Sequence, residues 1–223
     1  MAGSLALGVA PAGAKALCVF VHGRTRSPEA MQAAVIRHLT APDVACVLPR
    51  AAGESRYSSR AIDPLNGTAR GEIARSTADV ARAVVALQGA APGVPLVLAG
   101  VSQGACLALE LAFSGTVPVQ AVVMLTGCRV GSDASDRPAG LSVGLPVWLT
   151  AGQDDPWIPL PAVAQAVVVP GQAGAQVRAE IFPARPHEIS TAEIALLDGI
   201  LSDLAPGFTP VRGRSSGLGA CPL

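Results

Sequence analysis

The segment Gly100-Val101-Ser102-Gln103-Gly104 joins an apolar run, Pro95-Leu96-Val97-Leu98-Ala99, to a second apolar segment, residues 103–113. The run before it reads as a buried strand and the segment after it as a helix. No loop separates the two, so the chain must reverse direction within the segment itself. Glycines at 100 and 104 let the strand and helix approach closely, and the turn strains the backbone of the serine between them. A hydroxyl is thereby placed at the carboxyl end of a sheet, with a helix amino terminus behind it.

The rest of the chain repeats the alternation. Residues 16–21, 44–48, 119–125, 146–151 and 176–182 read as strands. Helices are expected over 28–39, 72–87, 160–169 and 191–204. Ser27 is the expected N-cap of the first, with Pro28 at its first helical position. Ile73, Val80, Val84 and Leu87 mark the apolar stripe of the second. Ser190 and Glu193 make a capping box for the last. The polar stretch 50–71 and the Gly-, Ser- and Asp-rich stretch 126–144 read as loops. Strand–helix alternation with continuously apolar strands predicts an α/β fold, a mainly parallel sheet with helices on both faces. Residues 1–205 are expected to form one domain. Residues 206–223 lack periodicity and read as a loosely ordered tail.

Composition removes several classes of function. The 223 residues are 50% hydrophobic and 14% charged, which supports a large core. Sixteen basic and 16 acidic residues cancel to a net charge of 0, so no nucleic-acid partner is expected. Lys15 is the lone lysine, and the excess of arginine is read as genome composition. The odd set Cys18, Cys46, Cys106, Cys128 and Cys221, without a C-x-x-C spacing, argues against a disulfide framework and against a metal site. Buried free thiols in a reducing compartment are expected, hence a cytoplasmic protein. No apolar run is long enough to span a membrane. Residues 1–14 have no basic residue ahead of their apolar part, which argues against a cleaved signal peptide. Monomer and homodimer both remain open.

All parallel strands end on one side, so polar residues just beyond the strand ends share one region. They are His22-Gly23-Arg24-Thr25, Ser102, Gly152-Gln153-Asp154-Asp155-Pro156 and Pro183-Ala184-Arg185-Pro186-His187. Ser102 needs a base within hydrogen-bond reach to act as a nucleophile. His187, on the loop between the last strand and last helix, is the candidate base. His22 follows an early strand and His38 falls inside a helix. Asp154 and Asp155 are both candidates to orient the imidazole, and Pro156 favours Asp155 by holding it extended. The candidate oxyanion donors are two backbone amides, that of Gln103 at the helix start and that of Arg24 in the first loop.

With these residues in place, the chain resembles the phospholipase/carboxylesterase family of small α/β-hydrolases, which includes acyl-protein thioesterases and bacterial carboxylesterases. The resemblance rests on His22-Gly23-Arg24 with Ser27-Pro28-Glu29-Ala30-Met31, on Gly100-Val101-Ser102-Gln103-Gly104, on Gly152-Gln153-Asp154-Asp155-Pro156-Trp157-Ile158-Pro159 and on Pro186-His187-Glu188-Ile189. It runs from about residue 16 to residue 204. It implies Ser102, Asp155 and His187 as a catalytic triad, Arg24 and Gln103 as the oxyanion hole, and no cofactor. It also places Tyr57, Arg56 and Trp157 at the substrate. Two positions depart from the family pattern. Thr25 stands where a glycine is common, and Arg56 stands where a tryptophan commonly precedes the tyrosine.

The expected activity is hydrolysis of a small-molecule carboxylic ester through an acyl-enzyme. The loops 50–71 and 126–144 are too short and polar for an interfacial lid, so dissolved short- to medium-chain esters are the expected substrates. Arg24, Arg26, Arg60 and Arg70 would favour an anionic ester if they formed an open rim, but Glu54, Asp63 and Glu72 lie among them to pair with them. Thioesterase, lysophospholipase-type and dienelactone-hydrolase-like activities are the alternatives on the same fold. A non-catalytic binding module is the alternative from another class.

Overall fold

The computed structural model of the protein describes residues 3–132 and 135–205. The expected tail 206–223 lies outside the described residues, as does Cys221. Strands β1 (Ser4–Gly8) and β2 (Ala16–Val21) are followed by helix α1 (Pro28–Ala34) and strand β3 (Val44–Pro49). Helix α2 (Gly67–Ala90), strand β4 (Leu96–Val101), helix α3 (Gln103–Ser114) and strand β5 (Ala121–Leu125) come next. Strand β6 (Pro146–Gly152), helix α4 (Leu160–Gln172), strand β7 (Gln176–Phe182) and helix α5 (Thr191–Leu204) complete the domain.

The strands form one seven-stranded sheet in the order β1-β3-β2-β4-β5-β6-β7. Every neighbouring pair is parallel except β1 with β3. β2, β3, β4 and β5 are buried along their whole length, which is why they read as continuous apolar runs. Alternate side chains feed two cores. Leu17, Val19 and Val21 join α2, α3 and α4 on one face. Cys18 and Phe20 join α1 and α5 on the other. The strand order reverses between β2 and β4. In an open α/β sheet such a switch point opens a crevice at the carboxyl strand ends, and it is here that the loop after β2 meets Ser102.

The turn between β4 and α3 is as tight as its sequence requires. Ser102 has φ +53° and ψ −121°. A Cβ on Gly100 would lie 2.6 Å from the carbonyl carbon of Gly104, and a Cβ on Gly104 would lie 2.0 Å from the carbonyl oxygen of Val21. The Ser102 N–H donates to Leu125 O at 2.9 Å, which ties the turn to the end of β5. The other end of α3 is held by a buried ion pair. Arg129 meets Glu110 at 3.1 Å and lies over the Phe113 ring.

Four elements differ most from the sequence reading, each for a local reason. β1 has no strong period, and it forms by pairing with β3 while Leu5 and Leu7 pack on the core. α1 stops at Ala34, because the buried Val35 leaves helical geometry (φ −128°) and a 3-10 turn, Ile36–His38, follows. α2 starts earlier than expected, capped by Asn66, whose Oδ1 accepts from Ala69 N at 2.8 Å. The weak helix formers Gly67 and Gly71 mask this start. α4 continues past residue 169 and includes Pro170 in its last turn. The caps at Ser27 and Ser190 form as their sequence implies, the second with its Glu193 box complete.

Gly104→Ala must push the start of α3 away from β2. The expected result is a loss of about 3 kcal/mol or more in chemical denaturation. An unchanged midpoint would contradict the close approach.

Candidate active site

Ser102, His187 and Asp155 come from three separate strand ends and meet in one hydrogen-bonded chain. His187 Nε2 lies 2.8 Å from Ser102 Oγ, and His187 Nδ1 lies 2.6 Å from Asp155 Oδ2. Asp155 is buried, and its other oxygen, Oδ1, accepts from the amides of Trp157 at 2.8 Å and Ile158 at 2.9 Å. A carboxylate so held can only accept from the ring, so the proton sits on Nδ1. Nε2 is left with its lone pair toward the serine hydroxyl. Asp154 is exposed and its amide donates to Arg185 O at 3.0 Å, so the structure brings Asp155 rather than Asp154 to the imidazole.

The loop after β2 lies against the serine. A Cβ on Gly23 would stand 3.3 Å from Ser102 Cβ. Gln103 opens α3, so its N–H has no carbonyl partner within the helix. Among the described residues the Arg24 N–H meets no backbone acceptor. Thr25 adopts φ +55°, a conformation that favours glycine. It is held there by its N–H to Glu54 O (2.7 Å) and by its hydroxyl to Arg24 O (2.7 Å).

Side chains of the same two residues fix the neighbouring loop, a role the sequence reading missed. Gln103 Oε1 accepts from Arg56 N, and its Nε2 donates to Tyr57 O, both at 2.8 Å. Arg24 Nη2 donates to the carbonyls of Tyr57 (2.9 Å), Ser58 (3.2 Å) and Ser59 (2.6 Å). Tyr57 thus becomes a buried wall of the cavity, and Trp157 also lines it, with 60% of its surface exposed. Arg56 does not line the cavity, contrary to the sequence expectation. The clamp on its backbone turns its side chain inward, where it donates to Pro49 O at 2.5 Å, and burial lowers its pKa to about 10.

The cavity over Ser102 holds about 650 Å³. Ala30, Met31, Ala34 and Ile189 give it an apolar side. Three of the four arginines, Arg24, Arg26 and Arg60, line the cavity. Arg24 is spent on carbonyls, Arg60 pairs with Asp63 at 2.8 Å, and Arg70 donates to Asp136 O at 2.5 Å.

A second missed feature holds the His187 loop. Arg185 and Glu193 form a buried ion pair. Arg185 also donates to Glu188 O at 2.9 Å and to Thr126 Oγ1 at 3.2 Å. Glu193 accepts from Ser190 N at 2.7 Å and from the Thr150 hydroxyl. His187 therefore sits on a strap pinned to the ends of β5 and β6. The signal in the sequence was an arginine beside the histidine and a glutamate at a helix start, but nothing local says that the two are buried together.

His22 supports the first loop rather than the chemistry. Its Nε2 accepts from Ala51 N at 3.1 Å, so its proton is on Nδ1, which donates to Gly23 O at 2.9 Å. Burial, then the nearby Arg56 charge, lowers its pKa from 6.5 to about 4. The unfolded chain therefore takes up this proton first. His22 contributes stability above pH 6.5, and that contribution is lost as pH falls toward about 4. Glu29, hydrogen-bonded to Arg50 and lowered to about 2, acts in a more acidic window. The dependence of unfolding free energy on pH between about 5 and 6 should fall by up to ~1.4 kcal/mol per pH unit in His22→Gln. Equal slopes for the two proteins would contradict a neutral buried His22.

The comparisons with known proteins bear on the fold and the family. No curated protein matches the chain. A phospholipase/carboxylesterase from Dyadobacter fermentans is similar in structure, with a TM-score of 0.77 and 25% identity over 89% of this chain and 95% of that one. Zea mays acyl-protein thioesterase 2 superposes with a TM-score of 0.70 at 18% identity, covering 91% of this chain and 98% of that one. The Bacillus cereus carboxylesterase superposes with a TM-score of 0.69 at 14% identity, covering 90% and 93%. The last two show a shared fold. The family model for phospholipase/carboxylesterase matches residues 9–203, and with the α/β-hydrolase sheet in place the chain belongs to the phospholipase/carboxylesterase family.

Proposed function

We propose that this hydrolase is a serine carboxylesterase for dissolved short- to medium-chain esters. The observation that carries the reading is the continuous chain from Ser102 Oγ through His187 to Asp155, opening on a cavity of about 650 Å³. Ser102 attacks the ester carbonyl while His187 Nε2 takes its proton. Asp155 holds the ring in the productive tautomer and stabilises the imidazolium. The amides of Gln103 and Arg24 receive the tetrahedral oxyanion. His187 then returns the proton to the leaving alcohol, and an acyl-Ser102 remains. Water, deprotonated by His187, releases the acid and restores the serine. The chain's own groups carry every step.

The cavity supports the substrate class. Its apolar side suits an alkyl group, and about 650 Å³ accommodates a small ester rather than a triglyceride. Among the described residues no helix is long and apolar enough to cross a membrane. Cys18, Cys46, Cys106 and Cys128 are buried free thiols, which fits the reducing cytoplasm where we place the enzyme.

The test is a p-nitrophenyl ester series from acetate to palmitate, run with wild type, Ser102→Ala and Asp155→Asn. Turnover should favour the shorter chains. Either substitution should lower kcat by roughly four to six orders of magnitude. Turnover that survives loss of the Ser102 hydroxyl, or that appears only at an oil interface, would overturn the reading.

A further inference from the structure

β7 is the edge of the sheet, and its outer side is unpaired among the described residues. It runs Gln176-Val177-Arg178-Ala179-Glu180-Ile181-Phe182, without proline or glycine to blunt it. Five of its residues are exposed, Ile181 to 48%. A long open edge of this kind is a template for another strand.

Its backbone polarity can be read from its two ends. Gln176 N donates to Leu145 O, and Phe182 O accepts from Gln153 N, each at 2.9 Å. Residues of a strand alternate in the edge toward which they point their N–H and C=O groups. The even-numbered residues therefore bond inward to β6. Val177, Ala179 and Ile181 turn their N–H and C=O groups to the open edge.

The side chains are self-complementary about Ala179. In an antiparallel pair of two β7 strands centred there, Arg178 stands opposite Glu180 of the other copy, and Glu180 opposite its Arg178. Val177 meets Ile181 in both directions. The outward groups then close about six backbone hydrogen bonds. The charged residues fall at non-hydrogen-bonded positions, where opposing side chains are closest. Centring the pair on Arg178 or on Glu180 instead would set like charges opposite each other. Arg178 and Glu180 have no ion-pair partner within the described part of the chain.

We propose that β7 is a homodimer interface, pairing antiparallel with β7 of a second copy about a two-fold axis at Ala179. The two sheets become one continuous sheet. The contact is isologous, so it closes at two chains.

Sedimentation equilibrium of the full chain across the micromolar range tests this. Wild type should sediment at twice the mass of one chain. Arg178→Glu and Glu180→Arg should each weaken the dimer roughly tenfold or more, since each places like charges opposite one another. The double substitution should restore it. Ala179→Pro removes an outward N–H that β6 does not use, and should also give the single chain. Circular dichroism should show each variant folded. Monomeric wild type, or a dimer that ignores these substitutions, would overturn the proposal.

Discussion

The position of the serine depends on one crowded contact, the crossing of α3 over the end of β2. The Gly104 backbone packs so closely on Val21 that no side chain fits between them. That closeness lets α3 begin immediately after β4, with only Ser102 to make the turn. The serine carries the strain of a positive φ as a result. Its hydroxyl is lifted above the sheet, and the first N–H groups of α3 are left facing the same space. The β2 loop passes within van der Waals distance of the serine because Gly23 has no side chain there.

The remaining parts are fixed from farther away. His187 has no strand or helix of its own to stand on. Its loop is anchored by the buried ion pair of Arg185 and Glu193, with Thr126, Thr150 and Ser190 around it. Such a pair adds little net stability when complete, but losing one member leaves a charge buried alone. Its value here is positional. Asp155 is fixed differently, by two amides of its own turn. The imidazole is thus held from two directions by groups that share no element.

Much of this was legible in the order of residues. Strand ends in a parallel sheet lie together, so the strand positions brought Ser102 and His187 together with Asp154 and Asp155, and Pro156 and the family resemblance favoured Asp155 of the two. Caps at Ser27 and Ser190 were legible because capping is local. β1 was not, because its strand state depends on β3 and not on its own period. The start of α2 was hidden by two glycines that Asn66 and tertiary packing override. Arg56 looked like part of the substrate wall, yet the bonds from Gln103 and Ser76 to its backbone turn it into the protein. The side-chain work of Arg24, Gln103 and Glu193 joins residues far apart in sequence, and no spacing rule announces it.

The most direct test of the central claim is covalent. The full-length protein would be treated with a fluorophosphonate and its peptides mapped by mass spectrometry. The account predicts one phosphonyl adduct, on Ser102, whose formation slows sharply when His187 is replaced by Ala. No adduct on Ser102, or labelling at an undiminished rate without His187, would contradict it.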